Sequence, residues 1–540
     1  MDRAPDCGSG GRGFKSRLQY DPSSVGIIIF ITPELIIIIE DAGRKDLKLK
    51  KTKPRIVKGF RDSLWDESLA RRRMIEKIQG VYERYGFLPI ETPALEYVDV
   101  LGKFLPDSDS PEGGIFSFES EDEWIALRYD LTAPLSRLIA QNQDLPKPFR
   151  RYQVGKVWRM EKPGPGRFRE FTQFDIDTVG SSSMLSDCEV CAALVDSLLA
   201  LDIEKNDFEL RINSRKIVNG VLETAGIKLL NEDGTTSDVS AKVLRSIDKI
   251  DRLGINGVFE LLTKGRKDSS GAFIKGVGLP DSKANIIISF LESPRESRSE
   301  VLKFLSNFIQ KSEEGLSGVE ELTEMDSLFR MMGYDEETIV FDPTVVRGMD
   351  YYTGPVFEAN LTFEIKDEKG RKKDFGSVAG GGRYDDLIAR FTGQKVPATG
   401  ISIGIDRLLS ALSYLDKNSP ILEDAPVVVT VMDKDKIGEY IKMTKELRAS
   451  NIAAELYLGS GGFNKQMKYA DKRGASIAVI AGSDEFEKDT VTIKDLMLGK
   501  ELSQNIQERE KWLKEQPSQV TVPRADLLKT VTEILSRYRK

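Results

Sequence analysis

Two strand-like segments joined by a short loop constrain the fold of this chain more than any other feature of its sequence. Residues 151–159 (RYQVGKVWR) and 169–179 (REFTQFDIDTV) flank the loop 162–166, which contains two glycines and two prolines. Strand-like segments separated by glycine and proline are typical of a β-hairpin. The sequence therefore predicts an antiparallel hairpin with a long tip.

The faces of this hairpin carry unusual side chains. Alternate residues of a strand point to the same side, so Gln173, Asp175 and Asp177 share a face with Phe171 and Arg169. Arg159 and Glu161 share a face on the partner strand in the same way. Such a face is too polar for a core. It is either a solvated sheet with cross-strand ion pairs or a floor that holds an anionic and an amine-bearing ligand side by side.

Length and composition set broad limits. The 540 residues suggest three or four folding units, and 40% hydrophobic with 31% charged residues is ordinary globular composition. The net charge of −7 means that a nucleic-acid partner would have to meet a local basic face. Three cysteines are too few for a disulfide scaffold and indicate a reducing compartment.

The chain contains no histidine. This excludes mechanisms that use an imidazole base, Ser/His/Asp and Cys/His nucleophile pairs, and nearly every zinc site. Catalysis by this chain therefore has to rely on carboxylates, arginine and lysine clamps, and hydrogen bonds.

The first fifty residues differ from the rest. Residues 25–39 are apolar but are interrupted by Pro33 and Glu34, and they are too short for a membrane span. They also lack the cleavage site of a secretory signal. We expect residues 1–50 to be an N-terminal extension that is disordered or an artefact of the assigned start, and we expect no membrane association.

Beyond this extension, the pattern predicts a folded protein of several parts. Apolar residues recur at helical spacing over residues 63–85, which predicts a helix there. Residues 186–201 are predicted to form an amphipathic helix. The predicted domains are a catalytic domain at 51–420, a helical insertion within it at 214–339, and an α/β domain at 425–540 in which strands and helices alternate.

Three further clusters carry polar side chains in special settings. Residues 346–355 (VRGMDYYTGP) combine an arginine with paired tyrosines, residues 379–385 (AGGGRYD) contain three glycines, and residues 400–407 (GISIGIDR) end on an arginine that enters a helix. Each has a plain structural interpretation as a strand and turn, a flexible hairpin tip, or a solvated helical charge.

Taken in order, these motifs resemble class II aminoacyl-tRNA synthetases. The Arg159–Glu161 and 167–171 pair is similar to the second signature motif of that class, residues 404–407 to the third, and residues 87–93 to the weaker first motif at the dimer interface. Residues 127–132 (LRYDLT), 347–352 (RGMDYY) and 380–385 (GGGRYD) resemble the amino-acid pocket of the histidyl-tRNA synthetase family.

The resemblance extends from about residue 53 to the C-terminus and implies the fold. It implies an α+β class II synthetase catalytic core, an antiparallel sheet with flanking helices, which carries the helical insertion and is followed by a C-terminal α/β anticodon-binding domain. A different class II synthetase is disfavoured by Arg347–Tyr352.

The resemblance also implies a role for individual residues. Arg159 and Arg347 are the expected catalytic residues, and ATP, the substrate that brings Mg²⁺, is expected to contact Arg159, Glu161, Arg167, Phe171 and Arg407. No dedicated protein ligands for a metal are expected. The residues expected to bind L-histidine are Asp130, Leu131, Thr132, Arg159, Gln173, Asp177, Arg347, Tyr351, Tyr352 and Tyr384.

The implied activity is ligation of histidine to tRNA(His) through histidyl-adenylate, by a cytoplasmic homodimer. The alternative is a non-catalytic regulatory or tRNA-sensing relative of the family. Such relatives usually lack the C-terminal domain and have lost motif arginines, whereas Arg159, Arg167, Arg347 and Arg407 are all present here.

Cys188 and Cys191 form a C-x-x-C pair, which raises the question of a metal or redox site. No second pair and no histidine could complete a metal site. We therefore predict that both cysteines lie in the core, on one face of the 186–201 helix.

Overall fold

A computed structural model describes residues 52–102, 114–164, 166–231, 237–268, 271–346, 351–366, 372–373, 376–415, 425–505 and 518–538. The chain divides into two compact units, Met1–Ile56 and Val57–Lys540. In the first unit, residues 52–56 are exposed and belong to neither a helix nor a strand. The predicted extension, residues 1–50, lies outside the described residues, as does the whole of the connection at 416–424.

An eight-stranded sheet organises the larger unit. Its outermost pairs, β1 with β5 and β7 with β10, are parallel, while the pairs between them are antiparallel. The prediction of an antiparallel sheet therefore describes its centre and not its two edges. In spatial order the strands are β1 (Leu88–Pro89), β5 (Phe149–Trp158), β6 (Glu170–Val179), β15 (Ala398–Gly404), β14 (Ser377–Arg383), β11 (Pro355–Leu361), β7 (Phe208–Ser214) and β10 (Ile339–Phe341).

The predicted hairpin is strands β5 and β6, paired over their full ten residues. Its two faces differ in chemistry. Phe174 and Ile176 point to one side and are fully buried in the main apolar core. Gln173, Asp175 and Asp177 alternate with them and therefore point to the other side. This alternation gives the sheet one apolar and one polar face.

Helices cover the apolar face. α1 (Trp65–Arg84), α4 (Met184–Ala200) and α12 (Ile405–Leu412) pack on it and on one another, and their apolar side chains join one core. The prediction that residues 186–201 form an amphipathic helix is wrong in character. α4 is buried almost all round, because it lies between the sheet and two other helices, and Cys188 and Cys191 are fully buried within it.

Residues 214–339 are largely helical, and their apolar side chains join the same core as the sheet. The longest of these helices, α10 (Glu313–Met332), packs on α4 and also contacts β7. A two-stranded hairpin, β8 (Gly265–Lys267) with β9 (Phe273–Lys275), interrupts the helices and was not predicted. The helices are α5 (Arg215–Thr224), α6 (Asp238–Ile247), α7 (Ile250–Leu262), α8 (Asp281–Leu291), α9 (Arg298–Phe308) and α10 (Glu313–Met332).

A small antiparallel sheet precedes the hairpin along the chain. It orders β2 (Leu95–Tyr97), β4 (Glu123–Leu127) and β3 (Ser117–Ser120), and it leads into helix α3. The remaining elements of this part are α2 (Val98–Leu101), α3 (Thr132–Gln141), α11 (Ala389–Thr392), and the short strands β12 (Ile365–Lys366) and β13 (Lys372–Lys373).

The C-terminal part has its own five-stranded sheet and its own apolar core. Its first three strands pair in parallel, as the alternation of strands and helices predicts, but β19 and β20 add an antiparallel hairpin that was not predicted. In spatial order the strands are β17 (Ala454–Leu456), β16 (Val427–Val429), β18 (Ile477–Ile480), β19 (Thr490–Asp495) and β20 (Gln519–Pro523). The helices are α13 (Ile437–Ala449), α14 (Phe463–Lys472), α15 (Ser483–Glu487), α16 (Leu496–Asn505) and α17 (Leu527–Ser536).

None of the helices in the described part of the chain combines the length and the apolar character that crossing a membrane requires.

Candidate active site

A pocket opens on the polar face of the eight-stranded sheet. The floor of the pocket follows from the register between β6 and β15. Asp177 lies opposite Gly400 on β15, Asp175 opposite Ser402, and Gln173 opposite Gly404. Polar side chains of β6 therefore stand beside strand positions with little or no side chain, and this leaves room for a ligand above β15 and β14.

Gly400 and Gly382 lie at positions where a side chain would not fit. A Cβ at Gly400 would collide with the Asp177 carboxylate, and a Cβ at Gly382 would press on the Tyr352 ring. Their lack of a side chain is thus a packing requirement of the pocket.

Twelve of the fourteen predicted site residues line this pocket: Asp130, Thr132, Arg159, Glu161, Arg167, Phe171, Gln173, Asp177, Tyr351, Tyr352, Tyr384 and Arg407. Leu131 does not. Its side chain is fully buried behind the wall, and its carbonyl accepts a hydrogen bond from Arg151. Arg347 lies outside the described residues, so its role stays a prediction.

The inner end of the pocket is built around Asp177. The Tyr384 hydroxyl donates a hydrogen bond to Asp177 Oδ1, and Arg151 Nη2 lies 2.7 Å from Asp177 Oδ2. Burial raises the pKa of Asp177, and the Arg151 charge opposes that shift. Tyr351 packs edge-on against Tyr352, with ring centroids 4.9 Å apart, and against Tyr384 at 6.0 Å. Aromatic rings and a paired carboxylate thus enclose this end.

A second buried carboxylate lies beside helix α3. Asp130 Oδ1 accepts a hydrogen bond from the Ala133 backbone N–H at 3.0 Å, at the first turn of the helix. Asp130 is 3% exposed, and burial raises its pKa. Its other oxygen points to no hydrogen-bond donor among the described residues.

The outer end of the pocket carries arginines and an aromatic ring. Arg159 Nε donates to the Tyr129 carbonyl at 3.0 Å, and the guanidinium lies 5.3 Å from the centre of the Phe171 ring. Glu161 Oε1 lies 3.8 Å from Arg159 Nη1. Arg407, on the first turn of α12, donates to the Ser377 carbonyl at 2.7 Å. Fixed cations of this kind suit a polyanionic ligand.

One carboxylate fastens the outer end together. Asp406 Oδ2 accepts a hydrogen bond from the Thr172 backbone N–H at 2.5 Å, next to Phe171 on β6. Asp406 Oδ1 accepts from Arg71 Nη2 at 2.8 Å and from Arg71 Nε at 3.2 Å. Asp406 therefore joins helix α1, strand β6 and the start of α12, which carries Arg407.

Sequence reasoning missed Arg151 and Ser402, and it placed Asp175 on the polar face of the hairpin without assigning it a role. Arg151 is fully buried, and its place opposite Asp177 follows only from the strand register. Asp175 and Ser402 line the pocket. The alternation of polar residues on β6 pointed to Asp175, because it lies between two residues that were assigned.

Fold and pocket together define the class of protein. The sheet with its arginine-bearing hairpin, the helix that begins after Gly404, and the separate C-terminal α/β domain are those of a class II aminoacyl-tRNA synthetase. The chain is therefore a ligase that joins an amino acid to tRNA.

Comparison with known proteins identifies the family. Residues 59–408 match the histidyl-tRNA synthetase family model, and residues 426–533 match an anticodon-binding domain model. Histidine–tRNA ligases from Cereibacter sphaeroides and Ruegeria pomeroyi are 51% and 52% identical to the chain, each over 91% of it, and the alignments cover 100% and 99% of those proteins. The chain belongs to the histidyl-tRNA synthetase family.

Solved structures agree with this assignment. A histidyl-tRNA synthetase from Nostoc sp. superposes with a TM-score of 0.68 at 31% identity, covering 90% of this chain and 100% of that one. A Staphylococcus aureus histidyl-tRNA synthetase, at 19% identity and a TM-score of 0.56, shares the fold.

Proposed function

We propose that this pocket catalyses the two steps of a histidine–tRNA ligase. In the first, a carboxylate oxygen of L-histidine attacks the α-phosphorus of ATP. The bond between the α-phosphorus and the oxygen that bridges it to the β-phosphate breaks. Pyrophosphate leaves, and histidyl-adenylate remains in the pocket. In the second, a hydroxyl at the 3′ end of tRNA(His) takes the histidyl group and AMP leaves. The observation that carries the proposal is the union, in one pocket, of buried carboxylates at one end and arginines at the other.

The arginine end is proposed to hold ATP. The attack brings a carboxylate against a phosphate, and both are negative, so the reaction needs fixed positive charge more than a base. Arg159, at the outer end, is proposed to bridge the carboxylate of histidine and the α-phosphate of ATP. Phe171 and Arg407 are proposed to sandwich the adenine, and Glu161 to accept a hydrogen bond from its amino group. Arg167 and Arg407 are proposed to hold the γ-phosphate end of a bent ATP.

Mg²⁺ is proposed to arrive on the phosphates of ATP as part of the substrate. Within the described ranges, no group of three acidic or cysteine side chains lies close enough to form a metal site.

The carboxylate end is proposed to select histidine. An imidazole has a polar nitrogen on each side, and a buried site that hydrogen-bonds both rejects analogues lacking either. Asp177 with Tyr384 offers such partners, inside walls formed by Tyr351 and Tyr352. Asp130, Thr132 and Gln173 are proposed to surround the α-ammonium group.

We propose further that the protein is a cytoplasmic homodimer that binds tRNA(His) through its C-terminal domain. Several large apolar side chains near the first predicted motif are exposed, which supports a subunit interface there. They are Leu88, Leu95, Tyr97, Phe118 and Trp124. Sedimentation equilibrium measures the mass directly, and a monomer of 60.4 kDa would contradict the dimer.

The test of the reaction is amino-acid-dependent exchange between pyrophosphate and ATP, run with each of the twenty amino acids and followed by charging of tRNA(His). We expect exchange with histidine alone. A folded protein that shows no exchange with any amino acid would instead favour a regulatory role. The retained pocket arginines and the C-terminal domain argue against that role.

A further inference from the structure

Three oxygen atoms in the pocket are buried with neither a hydrogen-bond donor nor an ion-pair partner among the described residues. They are Asp130 Oδ2, Gln173 Oε1 and Asp175 Oδ1. A fourth pocket oxygen, Asp177 Oδ2, also has no hydrogen-bond donor, but it lies 2.7 Å from Arg151 Nη2. Their side chains are 3%, 8% and 2% exposed, so water does not replace the missing donors freely. Buried acceptors are nearly always paired in native proteins. Three unpaired ones lining the same pocket indicate a ligand that brings donors.

The rest of each side chain is already fixed. Asp130 is held through its other oxygen by Ala133, and Gln173 Nε2 donates to the Ser402 hydroxyl at 2.8 Å. Ser402 also hydrogen-bonds to Asp175. The amide of Gln173 is thereby oriented with its oxygen free for the ligand. All three acceptors are held in place before a ligand arrives.

We propose that Asp175 is a third acceptor for the α-ammonium group of histidine, beside Asp130 and Gln173. This inference rests on the proposed function. An ammonium group carries three N–H donors and no acceptor, which matches three acceptors without donors. Two of the three acceptors are carboxylates, so the site favours a cation over a neutral amide or hydroxyl.

Two observations support contact of Asp175 with the ammonium and not with the imidazole. Along β6, Asp175 lies between Gln173, which is proposed to contact the ammonium, and Asp177, which is proposed to contact the imidazole together with Tyr384. The negative charge of Asp130 raises the pKa of Asp175, which puts these two carboxylates within electrostatic range of each other. A cation shared between them would relieve that repulsion.

The environment of Asp175 contains charges of both signs. Arg151 and Arg128 lie on the β5 and β4 sides, Asp177 shares its strand, and Asp130 lies beside α3. Tyr384 lies on the same side of the sheet in the pocket, whereas Tyr82 lies on the other side, in the apolar core. Burial is the largest influence, and with the two aspartates it raises the pKa of Asp175 to about 7. A bound ammonium would stabilise the ionised form, so histidine should bind with release of protons.

The experiment compares two ligands on full-length wild type and on Asp175→Asn. Equilibrium binding of L-histidine is measured beside binding of imidazolepropionate, which is histidine without its amino group. We expect the variant to bind histidine about tenfold to hundredfold more weakly, because a charge-assisted hydrogen bond is lost. Binding of imidazolepropionate should change less than about twofold, since it has no ammonium group.

Asp187→Asn is the matched control. Asp187 is a fully buried aspartate on α4 that pairs with Arg383 and does not line the pocket. Thermal unfolding of both variants checks that they fold. Histidine affinity should stay within about twofold of wild type in this control, which isolates the position of the lost charge from the loss of a buried carboxylate as such.

Each other outcome has a definite meaning. Equal weakening of both ligands by Asp175→Asn would overturn the inference and assign Asp175 a structural role, and so would unchanged histidine binding. Neither result would affect the proposed function, because wild type would still bind histidine. A wild-type protein that binds no histidine would instead overturn the proposed function itself.

Discussion

The two ends of the pocket differ in both burial and charge. At the inner end, Asp130, Asp175 and Asp177 are at most 3% exposed, and burial raises the pKa of each. At the outer end, the side chains of Arg159 and Glu161 are 25% and 52% exposed, so water still reaches their charges. One end is dry and acidic, whereas the other is open and largely basic.

This difference indicates that the inner end selects the amino acid and that the outer end carries out the reaction with ATP. A dry site makes each missing hydrogen bond costly, which is what discrimination among amino acids requires. An open basic site attracts a polyphosphate and releases pyrophosphate without trapping it. We therefore expect changes at the inner end to alter histidine binding and changes at the outer end to alter the rate of adenylate formation.

The largest expected effect comes from Arg159→Ala. Removing a positive charge aimed at the reacting phosphate should slow histidine-dependent pyrophosphate exchange by about 10²–10³-fold. Histidine affinity, measured by equilibrium binding without ATP, should fall less than the rate, because only the contact of Arg159 with the histidine carboxylate is lost. Lys162→Ala is the control, because Lys162 is exposed on the same hairpin and does not line the pocket. A variant that lost only affinity for histidine would erase the proposed division between the two ends.

An intermediate effect is expected from Gly400→Ala. The new methyl group would press on the Asp177 carboxylate, so the KM for histidine should rise about tenfold to hundredfold, as overpacking commonly costs about 1–3 kcal/mol. The KM for ATP should hardly change. Gly438→Ala provides the matched control, since a Cβ at Gly438 meets nothing within 4 Å. Equal increases in both KM values would contradict the assignment of Gly400 to the amino-acid end.

The last expected effect concerns stability without ligand and leaves catalysis aside. The pKa of Asp175 is raised from 3.8 to about 7, so its contribution to wild-type stability is present below pH 4 and is lost as the pH rises to 7. A neutral asparagine avoids that loss. Asp175→Asn should therefore match wild type at pH 4 and exceed it at pH 8, by at most about 4 kcal/mol. Calorimetric melting at the two pH values checks this, and a variant less stable at pH 8 would contradict it.

Much of this arrangement could be predicted from the sequence. The β5–β6 hairpin was predicted to within two residues at each end, because a run of strand-forming residues and a glycine-proline loop are local signals. Twelve site residues were likewise brought into one pocket. Their motifs are short, and each one carries its own chemistry.

The remainder depends on register and packing, which a single sequence does not display. Arg151 looks like one basic residue among many until β5 pairs with β6 and sets it opposite Asp177. The amphipathic character predicted for α4 was wrong because its serines and acidic residues suggest a solvated face. In the structure, Ser186, Asp187 and Ser197 are buried by the sheet and the neighbouring helices. The β19–β20 hairpin was missed because its strands are separated by α16 and a further connection.

The bonds made by Asp406 have a mechanical consequence. The same carboxylate holds the backbone next to Phe171 and stands beside Arg407 in the chain, while Arg71 anchors it to α1. Phe171 and Arg407, the two proposed walls of the adenine slot, are therefore attached to α1 through the same carboxylate. Loss of that carboxylate would release both walls from the helix at once.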